Sequence, residues 1–199
     1  MRVHRGFTIL ELMISMSVLG VLLGLTFLIY TMGARAWAKG DTKADLLRSA
    51  QVIAAKTNRY VESSTPLSLS AAPDGSAVAF LSAEDDDGVF QYNPVTLLPR
   101  WQKFIVLYHD PAARSVNLRE VSVVGTPLQD TPQTIEARGE GPVAGYKSGG
   151  QPLGREIDEC RFTVTPEVQL LTELRSKKKH YGTDAPEVHE TRLLNTLRN

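Results

Sequence analysis

The stretch Arg5-Gly6-Phe7-Thr8-Ile9-Leu10-Glu11, followed by apolar residues as far as Tyr30, decides how this chain is read. A short basic leader, a glycine, a phenylalanine and then a single carboxylate inside an apolar run have no role in an ordinary soluble core. The run from Phe7 to Tyr30 is 24 residues long, with Thr8, Glu11, Ser15, Ser17 and Thr26 as its polar interruptions. As a helix rising about 1.5 Å per residue, it is long enough to cross a hydrocarbon core of roughly 30 Å. Its hydroxyl side chains are tolerated there because they can bond back to their own helix. Arg2, His4 and Arg5 precede the run with no acid among them, which by the positive-inside bias predicts an N-in, C-out orientation. A secretory signal peptide is the competing reading, and Ala34-Arg35-Ala36 offers a weak cleavage signal before Trp37. Such peptides carry a shorter apolar region, of about 7 to 15 residues, so the length of this run and the acid at its start favour a retained helix.

Glu11 separates an inert anchor from something more specific. An acidic side chain at mid-bilayer costs on the order of 3 kcal/mol and less near the interface, where a lone glutamate can snorkel. Cleavage between Gly6 and Phe7 would change its role. The new Phe7 amine would be a cation at the depth of the carboxylates of neighbouring copies, and a pair at about 4 Å is worth about 4 kcal/mol at an effective dielectric of 20. Register between subunits would then be set electrostatically inside an otherwise apolar helix bundle.

Basic leader, Gly6, Phe7, Thr8, Glu11 and the apolar stretch after them together resemble the leader and N-methylation segment of the type IV pilin and type II secretion pseudopilin superfamily. The resemblance covers about the first 30 residues. It implies cleavage after Gly6 by a prepilin peptidase, methylation of the Phe7 amine, and Glu11 as the carboxylate that docks one subunit on another. It also implies other minor and major pilins, an inner-membrane assembly platform and membrane lipid as partners. Major pilins have a helix-breaking proline where this chain has Leu28, so no proline-centred bend is carried over. Gly20 and Gly24 form a Gly-x-x-x-Gly pair that permits close helix packing in a membrane or softens the helix locally.

Beyond the membrane run the helix is predicted to continue to about Val61. No proline intervenes from Ala34 to Val61, and Leu46, Ala50, Ile53, Thr57 and Tyr60 recur at steps of four and three. This stripe is read as the core of a domain packed on the helix. Ser63-Ser64-Thr65-Pro66 ends it. Strands are then predicted at Ala77 to Ser82, briefly at Phe90 to Tyr92, at Trp101 to His109, and at Ser115 to Val124 after a turn at Asp110-Pro111-Ala112-Ala113. Gly125 to Gly154 reads as an extended or partly disordered surface loop. Ile157 to Val164 and Glu167 to Arg175 follow as strands joined at Thr165-Pro166, and Val188 to Leu197 is the last strand, after a turn at Tyr181 to Pro186.

The predicted fold class is therefore α+β: a long N-terminal helix on an antiparallel sheet. Its parts are a leader at 1–6, a transmembrane and assembly helix at 7–30, an amphipathic continuation at 31–61 and a β-rich periplasmic or extracellular domain at 62–199. In pattern rather than motif, this order resembles PilW-like minor pilins and the J-type minor pseudopilins of type II secretion. Major pilins often close a C-terminal loop with a disulfide, which the lone Cys160 forbids. The resemblance implies a minor subunit that primes or caps a fibre. A secretion or competence pseudopilus stays open, as does a membrane-anchored periplasmic binding protein or enzyme.

Chemistry-bearing motifs are sparse. His4, His109, His180 and His189 lie far apart, and neither a nucleophile elbow nor a phosphate loop is present, so no catalytic residue, metal or cofactor is predicted. Glu84-Asp85-Asp86-Asp87-Gly88 lacks the ligand spacing of a calcium loop and is read as a solvated acidic turn. Lys177-Lys178-Lys179 reads as a solvated strand end or hairpin tip. The 22 basic residues balance the 22 acidic ones, and no nucleic-acid partner is expected.

Overall fold

The computed structural model describes residues 8–138, 141–165, 169–179 and 186–196. One helix, α1 (Ile9–Glu62), runs for 54 residues, about 80 Å, without a break at Gly20, Gly24 or Leu28. Its buried residues are Thr42, Leu46, Ala50, Ile53, Thr57 and Val61. Their spacing of four and three residues draws one stripe along the helix, and the predicted stripe is corrected at its end, where Val61 is buried and Tyr60 is half-buried. No residue from Thr8 to Asp41 is buried, so the domain covers only the second half of the helix. At the C-terminus the Ser63 hydroxyl donates to the Tyr60 carbonyl at 3.1 Å, and Pro66 opens a short 3-10 turn.

Among the described residues eight strands follow, in two antiparallel sheets where the sequence suggested one. The first contains β1 (Ser70–Ala71), β2 (Ala77–Ser82), β3 (Lys103–Asp110), β4 (Ser115–Ser122) and β5 (Gln151–Arg155), in that order. The second contains β6 (Ile157–Val164), β7 (Gln169–Lys178) and β8 (Glu187–Thr196). The predicted strand at Phe90 to Tyr92 is reduced to two isolated bridges, Glu84 with Phe90 and Tyr92 with Pro99. The turns expected at Pro166 and at Tyr181 to Ala185 lie outside the described residues.

β3 is buried on both faces, and this explains why Trp101 to His109 reads as a nearly continuous apolar run. On one side Ile105 and Leu107 join Phe80, Leu118, Phe162, Leu170 and Ile53 of α1 in the core between the sheets and the helix. On the other, Phe104, Val106 and Tyr108 pack with Trp101, Leu128, Ile135, Val143 and Tyr146. The last four come from the segment read as a surface loop. It instead forms three 3-10 turns whose apolar residues cover the back of the first sheet. Its attachments are local and specific: the Tyr108 hydroxyl donates to the Gly149 carbonyl, and Lys147 pairs with Asp74 at 2.8 Å. Gly150, at φ +95°, lies against the Leu118 carbonyl, where a side chain has no room.

The second sheet reaches α1 through a polar clasp. Glu187 pairs with Lys39 at 2.9 Å and Lys43 at 4.0 Å, Lys178 with Asp45 at 2.8 Å, and Asn195 donates to Asn58 at 2.8 Å. β8 therefore runs alongside α1 in the same direction. The Lys178 and Glu187 end of the β7–β8 hairpin points toward the uncovered half of the helix.

Two substitutions test this packing. Ile53→Ala removes a fully buried side chain and is expected to cost about 3 kcal/mol. Gly154→Ala places a methyl 2.7 Å from the Ile53 Cδ1 and 3.3 Å from the Ser49 carbonyl, and is expected to cost about 1 to 3 kcal/mol by forcing β5 off α1. Leu47→Ala, at a position 43% exposed, is the control and should change stability by less than about 1 kcal/mol. Denaturant unfolding of the detergent-solubilised protein measures all three.

Candidate assembly site

The first turn of α1 is built by Thr8 and Glu11. Thr8 adopts an extended conformation as the N-cap, its hydroxyl accepts the Glu11 N–H at 3.3 Å, and its carbonyl accepts the Leu12 N–H at 3.1 Å. Thr-x-x-Glu is the sequence signature of a capping box, which a reading of Glu11 as a pairing group alone misses. The position matters electrostatically, because a carboxylate in the first turn lies at the positive end of the helix dipole. Glu11 is exposed and no basic side chain of the described residues pairs with it.

Every residue from Thr8 to Tyr30 is exposed, including Ile9 at 80%, Phe27 at 69% and Tyr30 at 72%. The hydroxyls along this half are satisfied within the helix, as Ser15 donates to the Glu11 carbonyl, Ser17 to Met13 and Thr26 to Leu22, each at 2.8 Å. That removes the desolvation cost of a bare hydroxyl in an apolar surrounding. At Gly20 and Gly24 the space that a Cβ would take has no neighbour within 4 Å, so the pair forms a shallow unfilled notch on the helix surface. Among the described residues α1 alone is long and apolar enough to cross a membrane. Arg2, Arg5, Gly6 and Phe7 lie outside the described residues.

Residues 1–27 match the family described as the prokaryotic N-terminal methylation motif. The chain carries this motif. It is typical of type IV pilins and pseudopilins, whose role is structural, and it implies processing by a prepilin peptidase and association with other pilins. The motif and the apolar helix together fit a membrane-anchored, single-pass pilin, and the long helix on antiparallel sheets is a pilin-like layout. Comparison with curated proteins and with solved structures gave no match.

The remaining chemistry-bearing residues are occupied by the fold. Asp85 accepts the N–H groups of Val89 at 2.8 Å and Asp87 at 3.0 Å and the Gln91 side-chain amide at 2.6 Å. The Val89 bond leads in holding its carboxyl below the usual range. Glu84 pairs with Arg59 at 2.9 Å and Asp86 with Lys103 at 3.3 Å, so the acidic turn is knitted to its neighbours. His109 and His189 sit on different sheets, while His4 and His180 lie outside the described residues. The open cleft over β6, β7 and β8, about 470 Å³, is lined by cross-strand charges that pair among themselves, such as Arg192 with Glu173 at 3.0 Å and Arg175 with Glu159 at 3.4 Å.

Cys160 is 7% exposed, and burial pushes its thiol well above the ordinary cysteine range. A thiolate is the reactive form. The folded protein is therefore expected to resist a thiol reagent at pH 8 and to label stoichiometrically once denatured. Rapid labelling of the native protein would contradict the burial.

Proposed function

We propose that this protein is a minor pilin, a structural subunit that primes or caps assembly of a type IV pilus. The observation that carries the reading is a helix whose first half is apolar, uncovered by the other described residues and begun by a lone carboxylate that none of them pairs with. Such a surface needs lipid before assembly and other helices after it. The prepilin peptidase cuts after Gly6, the Phe7 amine is methylated, and Glu11 pairs with the terminal amine of a neighbouring subunit. Arg2 and Arg5 hold the leader on the cytoplasmic side, the domain lies on the other, and an inner-membrane platform extends the fibre. The minor assignment is supported by the large disulfide-free domain, in which Cys160 is free and buried. Subunits that co-purify with the protein identify the filament machine it serves.

Two measurements test the proposal. Glu11→Ala should leave membrane insertion intact while removing up to about 4 kcal/mol of pairing energy, enough to abolish incorporation or filament initiation. Normal piliation by this variant would sink the docking role. Mass spectrometry of the mature protein should find an N-terminus at Phe7 carrying one methyl group, whereas an intact Met1 or an N-terminus at Trp37 would overturn the filament reading.

A further inference from the structure

The end of the domain farthest from the apolar half of α1 carries an apolar cleft beside an exposed hairpin. After β2 the chain leaves the first sheet at Ala83 and rejoins it at Lys103. Hydrogen bonds tie this excursion into a fixed shape, as the N–H groups of Gln91, Arg100 and Asn93 donate to the carbonyls of Ala83 at 2.8 Å, Gln91 at 3.0 Å and Leu98 at 2.9 Å. Its place is set by the last turns of α1, where Arg59 pairs with Glu84 at 2.9 Å. Phe90, Leu98, Pro99 and Trp101 line a cleft of about 390 Å³ together with the end of the helix, and Glu62 and Asp130 also stand in its walls. Ser64 is a further wall residue, and its buried hydroxyl has no hydrogen-bond partner among the described residues, which leaves a polar contact there still to be made.

The hairpin is unfavourable for an isolated domain. Leu97 is held at φ +61°, in the left-handed region that a leucine avoids, yet its side chain is 74% exposed, and Val95 at the same tip is 88% exposed. Phe90, Tyr92 and Leu98 are exposed as well, and apolar side chains gathered in this way mark an interaction surface. Six carboxylates stand at this end (Glu62, Glu84, Asp85, Asp86, Asp87, Asp130) against three cations (Arg59, Arg100, Lys103). Each cation is engaged, Arg59 by Glu84, Arg100 by Asp130 at 3.9 Å, and Lys103 by Asp86 at 3.3 Å and Glu120 at 2.8 Å. Glu62 and Asp87 have no ion-pair partner among the described residues. From Tyr30 to Glu62 the helix rises about 48 Å, so bilayer lipid is out of reach. A small molecule would fill the cleft and leave Val95 and Leu97 bare. Subunits anchored by parallel helices in one bundle stand the same way up, and one displaced along the fibre sets the lower surface of its domain on the upper end of the next.

We infer that this cleft and hairpin dock the domain of a neighbouring filament subunit, through an apolar segment of that subunit flanked by lysine or arginine. Its apolar side chains pack on Phe90, Leu98 and the hairpin tip, and its cations meet Glu62 and Asp130 at the rim. The inference rests on the pilin reading proposed above. It adds where, and by what chemistry, a second subunit is held outside the membrane.

The full-length chain, with the photo-crosslinker p-benzoylphenylalanine in place of Val95, is expressed in its native host, and the irradiated product is identified by mass spectrometry. The expected product is a crosslink to a different polypeptide that has a methylated N-terminus of its own, on a peptide containing apolar residues and a lysine or arginine. Leu98→Asp, and separately Glu62→Lys with Asp130→Lys, should each lower the yield about tenfold or more. Leu97→Gly should lower it about threefold while leaving the Tm unchanged or higher, because glycine adopts this backbone conformation freely. Carbonate extraction and near-ultraviolet circular dichroism check that each variant is inserted and folded. An inserted, methylated chain overturns the docking site and leaves the pilin reading standing if it gives no crosslink, links only to a second copy of itself or to a protein without a methylated terminus, or links undiminished by the substitutions. A chain found unmethylated overturns both.

Discussion

One helix must satisfy two surroundings, and the rest of the molecule is arranged around that demand. The first half of α1 turns apolar side chains outward on every side, while the second confines them to the stripe from Thr42 to Val61. An all-round apolar helix is stable only in lipid or among other such helices, whereas a stripe needs a single packed face. The domain supplies that face, and it stops where the stripe stops. Among the described residues none of the domain covers the first half, since the helix carries it out beyond the sheets.

The polar groups follow the same division. Along the apolar half, hydroxyls are bonded to the helix backbone and the single acid sits in the first turn, near the cap. Along the covered half, charges are spent on attachment, with Glu187 and Lys178 reaching Lys39 and Asp45. These clasps are exposed and individually weak. Their effect is directional: together with Asn195 on Asn58 they set β8 along the helix, with the Lys178 and Glu187 end of the hairpin toward its uncovered half. Within a lysine run that is ordinary in sequence, Lys178 becomes a point of attachment to α1 because of this alignment.

Much of this was legible in the sequence. The N-terminal methylation motif, the length of α1 and its end at Ser63 to Pro66 are written in local sequence pattern and turn chemistry, and the bounds of β2 and β6 are those read from the sequence. The misreadings have physical causes. Phe90 to Tyr92 has strand-like residues, yet finds only isolated bridge partners. The glycine- and proline-rich segment from Gly125 looked like a solvated loop because its apolar residues are too few and irregular to show a period. Leu128, Ile135, Val143 and Tyr146 nevertheless close one face of the first sheet, since β3 is apolar on both sides and would otherwise expose Phe104 and Val106.

The sequence by itself determined what depends on neighbours along the chain: a membrane-length apolar helix, its capped and acid-bearing start, its amphipathic continuation and most of the strands. Each is set by spacing within a few turns. Only the tertiary structure decided that the strands divide into two sheets, that a glycine-rich segment is core, and that Lys178 and Glu187 reach Asp45 and Lys39 of α1. Those outcomes depend on which distant surfaces bury one another, here residues more than 130 positions apart on α1 and the β7–β8 hairpin, and no local pattern carries that information.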